Sequence, residues 1–577
     1  MPFETTTDLE APIASPPPAP APLRSTAILA ALGLAASLEA CGGGGGSDSP
    51  APSPASTLAP PPVAPTAVEA SRFLAQASLG ASRAQIASVQ TLGYSGWIDA
   101  QFALPASTTR WDFLVAAGLT DVANKNSEAG FDSAAWAKLL GAPDTLRQRI
   151  TLAYSEIFVA AIDGLVGGGW RQFSAATYLD LLEANAFGNH RTLLQQISLS
   201  APMGQFLTFR GSAKGNTTTG ALPDENYARE LMQLFTLGLV QLNLDGTPTL
   251  TNGSTTYTYG LADVTGLARV FTGWDFDLGG QSAATATATP DFIRKPMVQV
   301  TSRYETGAKT FLGTTIAAGV DAPSALTQAL DAIFAHVNVA PFFSRQLIQR
   351  LVTSNPSAAY VARVATVFNN NGSGAKGDLK AVIKAVLLDD EARSASAAAA
   401  SSFGKLREPI VRFTGWARAY GAASASNAWA IGNTSNPATR LAQSPLRSPS
   451  VFNFFRPGYV PPNTGFDATA MVAPEFQIAN ESSVVGYLNF LQRAVSGQGV
   501  GDVLADYTTL LAIADDAGAL FAEINLVLAS GRLSANTLTP LVTAVASMAS
   551  GTDAARKNRI YAALVLVLAA PEFLIQK

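Results

Sequence analysis

From residue 67 onward apolar side chains return at intervals of three and four in segment after segment, and this spacing restricts the body of the chain to packed helices. Phe73, Leu74 and Ala77 share one face; beyond a break at Gly80, Ile86, Val89, Leu92, Trp97 and Ile98 form another. Leu146, Ile150, Ala153, Ile157 and Phe158 follow Asp144 at core spacing, with Arg147 and Arg149 expected outside it. The helical pattern recurs at 175–186, from 325 through His336, and at 360–368, 379–393 and 409–419. One stretch differs: within residues 243–313, residues 247–260 alternate about Asn252-Gly253, a hairpin signal, residues 279–290 are small and polar, and residues 292–313 have strand-like pieces. The expected fold class is mainly α, a single large multi-helical domain over 67–577 with a small β-hairpin and loop excursion at about 243–313.

A hydrophobic content of 48% supplies a core for a body of this size. Disulfides do not contribute, because Cys41 is the only cysteine. That cysteine closes a leader-like region, residues 1–40, in which Arg24 precedes an apolar run too short to span a bilayer as a stable helix. The tetrapeptide Leu38-Glu39-Ala40-Cys41 resembles the lipobox of bacterial lipoproteins, which implies lipidation at Cys41. Residues 41–66 are rich in Gly, Ser and Pro and read as a tether. Gly42 in the next position implies, by the same resemblance, delivery to the outer membrane; the expected location is the cell envelope, with the membrane contacted through the lipid anchor. A net charge of −4, without a basic stripe interleaved with aromatics, gives no support to nucleic acid as a partner.

Pro223 to Leu239 packs more ionisable side chains into one helical segment than almost anywhere else in a chain that is only 14% charged. Asp224 is expected to cap a helix here, because acidic groups suit orphan N–H donors and the positive end of the helix dipole. On an α-helical period Glu225, Arg229, Gln233 and Thr236 take one side, flanked by Asn226 and Glu230. Tyr227, Ala228, Leu231, Leu234, Phe235 and Leu239 take the other. Glu225, Arg229 and Glu230 are the candidate catalytic residues, and the alternative is an i,i+4 ion-pair lace. A second polar face, Arg345, Gln346, Gln349 and Arg350, is its natural charge complement. Asp224, Asn226, His336, Arg345, Gln349, Arg407 and Glu408 are the candidate binding residues.

Several segments together carry a family resemblance. They are AFGNHRTLL at 186–194, PDENYARELMQLFTLGL, ARVFTGW at 268–274, HVNVAPFFSRQLIQRLVTSNP, KLREPI at 405–410, SVFNFFRPGY at 450–459 and APEFQIAN at 473–480. From about Ser71 onward the chain resembles the bacterial domain of unknown function 1800. The resemblance implies export, a mainly helical fold and an exported sulfatase-like partner, and it implies no reaction. Against the family pattern, Ser200 and Tyr304 stand where histidines are expected and Glu305 where an aspartate is expected. With only His190 and His336 in the chain, a multi-histidine metal site is hard to build. A carboxylate site on Asp224, Glu225 and Glu230 lacks EF-hand spacing, so no metal is expected, and no cofactor follows from the residues.

Two function classes remain. In one, an envelope hydrolase or lyase acts on a polysaccharide, with Glu225 or Glu230 paired to Glu408 or Glu475 as acid and base, and with Trp274, Phe452, Phe454, Phe455 and Tyr459 stacking on sugars. The other is a non-catalytic binding or assembly protein in which the acidic and basic helices lock together as an ion network.

Overall fold

Helix caps written into the sequence set the element boundaries. In the computed structural model, which describes residues 64–577, Thr66 and Glu69 form a capping box at the start of Ala67–Ala77. Ser82, Asp321, Ser357, Asp378, Asn480 and Thr552 each accept a backbone N–H at the start of a later helix. Cys41, the leader and most of the tether lie outside the described residues.

The helices share one hydrophobic core that reaches from Ala70 to Phe573, which makes residues 64–577 a single, mainly helical domain. A smaller aromatic cluster, including Trp111, Trp170, Phe173, Phe276 and Phe292, packs beside it. Strands occur among the described residues only as two-stranded antiparallel pairs. The expected hairpin is one of them: Leu250–Thr251 pairs with Ser254–Thr255 around Asn252 and Gly253, both at positive φ. Trp274–Asp275 with Val298–Gln299, and Lys309–Phe311 with Thr314–Ile316, account for the rest of the β excursion. No helix among the described residues is long and apolar enough to cross a membrane.

Two long-range closures tie the body together. Ala67–Ala77 packs on Ala517–Ala529, where the Ser71 hydroxyl donates to Leu526 O at 2.7 Å. Lys405–Leu406 pairs with Ile575–Gln576, and the Gln576 amide donates to Leu351 O and Val352 O at 2.7 and 3.2 Å. Arg149, expected outside the core, is instead buried, with its guanidinium on Arg350 O at 2.5 Å. Its helix is enclosed on every side, so the arginine finds a backbone acceptor in place of water.

The central stretch departs from its expected helix in three ways. The helix is Asn226–Glu230, and Asp224 stands one residue before the N-cap position, although its Oδ1 still accepts from Asn226 N at 2.8 Å. Leu231–Thr236 then winds as a π turn, with Leu237 N donating to Met232 O at 2.8 Å and Thr236 Oγ1 to Leu231 O at 2.5 Å. The wider turn rotates everything after Glu230, so Thr236 is buried and Leu239 is 49% exposed, the reverse of the α-period assignment.

Candidate functional site

Val339–Leu351 carries the site. Its start is fixed by Asn338, whose side-chain amide donates to Leu237 O at 3.0 Å and Val240 O at 2.8 Å, while its Oδ1 accepts from Leu242 N at 3.0 Å. One asparagine thereby ties this helix to the segment that leaves the π turn. Phe343, Leu347, Ile348 and Leu351 go into the core, and Phe343 meets Tyr154 and Phe158. The opposite side, Phe342, Arg345, Gln346, Gln349 and Arg350, lines a cavity of about 400 Å³. Glu156 and Ile157, the π-turn residues Gln233 and Leu234, residues Gly238 to Val240, Leu242, and the loop residues Val451, Phe452 and Arg456 supply other walls.

Three guanidiniums face this cavity in different circumstances. Arg350 is buried, lies over the Phe455 ring at 4.8 Å, and has Nη1 3.6 Å from Glu156 Oε2, beyond hydrogen-bond reach. Among the described residues Arg345 donates only to Gly246 O, at 3.4 Å, and burial weakens its hold on its proton. Arg456 stacks on Phe452 at 4.5 Å and is exposed. Neither Arg345 nor Arg456 forms an ion pair with a carboxylate among the described residues.

Behind the cavity wall lies a buried ionic network. Lys405 Nζ is 3.4 Å from Glu408 Oε1 and 3.0 Å from Glu475 Oε1, and it donates to Arg350 O at 2.9 Å. The Gln443 amide bridges Glu408 Oε2 at 2.9 Å and Glu156 Oε1 at 3.4 Å. Burial and the neighbouring Glu408 carboxylate push Glu156 well above the usual carboxylate range, against the pull of Arg350 and Lys405. Burial would raise Glu408 too, but a hydrogen bond from Glu156 and the charges of Lys405, Arg149 and Arg350 outweigh it and hold Glu408 low. The two carboxyls thus titrate as a pair, and Glu156, on the cavity side, holds its proton more tightly than Glu408 behind it.

The structure brings together some of the sequence candidates and separates others. Arg345 and Gln349 line the cavity, and Glu408 and Glu475 meet in the network behind it. Asp224, Glu225, Asn226, Arg229 and Glu230 do not line it. Glu225 and Arg229 make an i,i+4 pair at 3.1 Å, with side chains 30% and 41% exposed. Glu230 is buried, with Oε2 unpartnered among the described residues, and burial raises it against a weaker pull from Arg229. The expected lock between the acidic helix and Arg345 does not form, because the π turn and the Asn338 clasp set the two polar faces apart.

Arg407 binds Leu528 O at 2.9 Å and covers Phe573 at 4.8 Å; burial, with Arg532 nearby, brings its pKa down to about 9. His336 Nδ1 accepts from Asn338 N at 3.1 Å, and burial lowers its pKa. Trp274 and Phe455 are core residues, while Phe452 reaches the cavity. Glu156 was missed by sequence reasoning, since it sits inside an amphipathic helix with no charged neighbour to mark it. Among the described residues no cluster of three or more His, Cys, Asp or Glu side chains is placed to hold a metal.

No curated protein and no solved structure matches the chain. A family model does match, over residues 72–575, and those residues include every wall of the cavity and all of the buried network. The chain therefore belongs to the DUF1800 family of proteins of unknown function.

Proposed function

We propose that this is an exported, lipid-anchored cell-envelope protein that binds a small anionic ligand in the cavity beside Val339–Leu351. One observation carries the binding reading: Arg345, Arg350 and Arg456 line one cavity in which, among the described residues, Glu156 is the single lining carboxyl and is pushed above the usual carboxylate range by burial and Glu408. A site with surplus guanidinium charge and the amides of Gln233, Gln346 and Gln349 is chemically suited to an anion. The anchor rests on the lipobox-like sequence ending in Cys41, and joint work with a sulfatase-like exported protein belongs to the same reading.

Binding is favoured over catalysis because a reaction would need a base or nucleophile beside the acid, and the ionised partner, Glu408, is 1% exposed and lies outside the cavity wall. The second reading, a polysaccharide hydrolase or lyase, keeps one observation in its favour, Glu156 on the wall with its proton held more tightly than an ordinary carboxyl. Turnover of an envelope or plant polysaccharide that disappears in Glu156→Gln would establish that reading instead.

The binding test uses phosphate and sulfate as probes. Either anion is expected to raise the melting temperature of the full chain in a saturable way, since a ligand held only by the folded state stabilises it. Arg345→Gln combined with Arg456→Gln is expected to remove the shift. Wild type and double variant responding alike would end the anion-binding reading. For the anchor, Cys41→Ser is expected to move the protein from membranes to a soluble fraction.

A further inference from the structure

We infer that the ligand is an anionic amphiphile, held with its charged head at the Arg350 end of the cavity and its apolar part along Phe342, Leu239 and Leu242. This deepens the anion-binding reading and rests on it.

The inference comes from the order of residues along Val339–Leu351. Phe342 lies toward the start of the helix, where Asn338 holds Leu237, Val240 and Leu242 close by hydrogen bonds. Gly238, at φ +74°, is pressed so near that an added Cβ would fall 2.7 Å from the Phe342 ring. That end of the cavity is therefore built from Phe342, Leu239, Val240 and Leu242. Arg350 lies about two turns further on, about 12 Å away at the helical rise. There Gln349 donates to Pro457 O at 3.4 Å, Arg350 donates to Glu156 O at 3.3 Å, and Arg456 follows within the same loop. Arg345 stands between the two ends.

One cavity thus runs from an aliphatic and aromatic end to an end with two guanidiniums and a carboxylic acid. A compact inorganic anion would use only the second. A sugar would use the guanidiniums and the amides of Gln233, Gln346 and Gln349 but would leave Phe342, Leu239, Val240 and Leu242 without apolar contact. An alkyl or prenyl chain ending in a carboxylate or a phosphate matches both, and Leu239, 49% exposed, places large apolar surface where a chain would lie.

The test is a chain-length series on the full chain carrying Cys41→Ser, which needs no detergent. Butyl, octyl and dodecyl phosphate are titrated by calorimetry below their critical micelle concentrations, beside inorganic phosphate, dodecanoate and an octyl glucoside. Affinity is expected to rise by roughly fourfold per added methylene until the apolar end is filled. Leu239→Gln, at a half-exposed position that tolerates a polar group, is expected to cut the gain with chain length, weakening dodecyl phosphate by a much larger factor than inorganic phosphate; equal weakening of the two would count against the amphiphile. Arg456→Gln is expected to weaken every phosphate at least several-fold. Dodecanoate binding as well as dodecyl phosphate would assign a carboxylate head, and weaker dodecanoate a phosphate head; both support the amphiphile. Inorganic phosphate binding as tightly as dodecyl phosphate overturns the amphiphile and leaves the anion site standing. Octyl glucoside matching octyl phosphate, or no probe binding at all, overturns both.

Discussion

The imidazole of His190 is fully buried against Phe158, Phe334, Phe343 and Phe368, and neither ring nitrogen has a hydrogen-bond partner among the described residues. Burial, with Lys376 adding to it, pushes the pKa from 6.5 down to about 3. The unfolded chain therefore binds a proton that the folded chain refuses, and stability falls as pH drops through that window by up to about 1.4 kcal/mol per unit. Urea titrations from pH 7 to pH 4 are expected to show this slope in the wild type and a shallower one in His190→Leu. Glu230 has the opposite sign, because burial raises a carboxyl above its ordinary value of 4.5. Its ionisation opposes folding as pH rises past that value, so Glu230→Gln is expected to raise the melting temperature at pH 7 and change little at pH 4. A marked loss of stability at pH 7 would mean that Glu230 has an ionic partner after all. Residue identity in the sequence marked Arg345, Gln349 and Glu408 as worth attention, but their grouping with Glu156 depends on contacts between segments 189 to 252 residues apart in the chain, which periodicity does not encode.

Among the elements, helix positions and the Asn252-Gly253 hairpin were legible, because spacing and turn chemistry are local properties. The π turn was not. Its residues fit an α period just as well, and the extra residue is accommodated by the hydroxyl of Thr236 and by the anchoring at Asn338. Thr236→Val removes the bond to Leu231 O while keeping the shape, and it is expected to cost about 1 kcal/mol in chemical denaturation. A sharper constraint lies where Leu261–Ala268 meets Lys309–Phe311. A Cβ on Gly266 would sit 1.8 Å from Thr310 O, so the helix and the hairpin touch through backbone. Gly266→Ala has to separate them, and a loss of at least 2 to 3 kcal/mol, or failure to fold, is expected; near-wild-type stability would show that the two elements are not pressed together.

Across the whole molecule, the buried network centred on Lys405 joins three segments: the helix that ends at Ile157, the stretch from Lys405 through Glu408, and the turn at Pro474–Ile478. Lys405→Met leaves Glu408 and Glu475 without their cation, and breaking a buried pair in this way is expected to cost about 3 to 5 kcal/mol. Thermal unfolding followed by circular dichroism would register it. The strand that covers Lys405 is contributed by Ile575–Gln576, some 170 residues later. A ribosome therefore has to deliver Gln576 before the middle of the domain can shut, so nascent chains stopped short of it are expected to stay open to proteases and chaperones however much of the helical body has emerged.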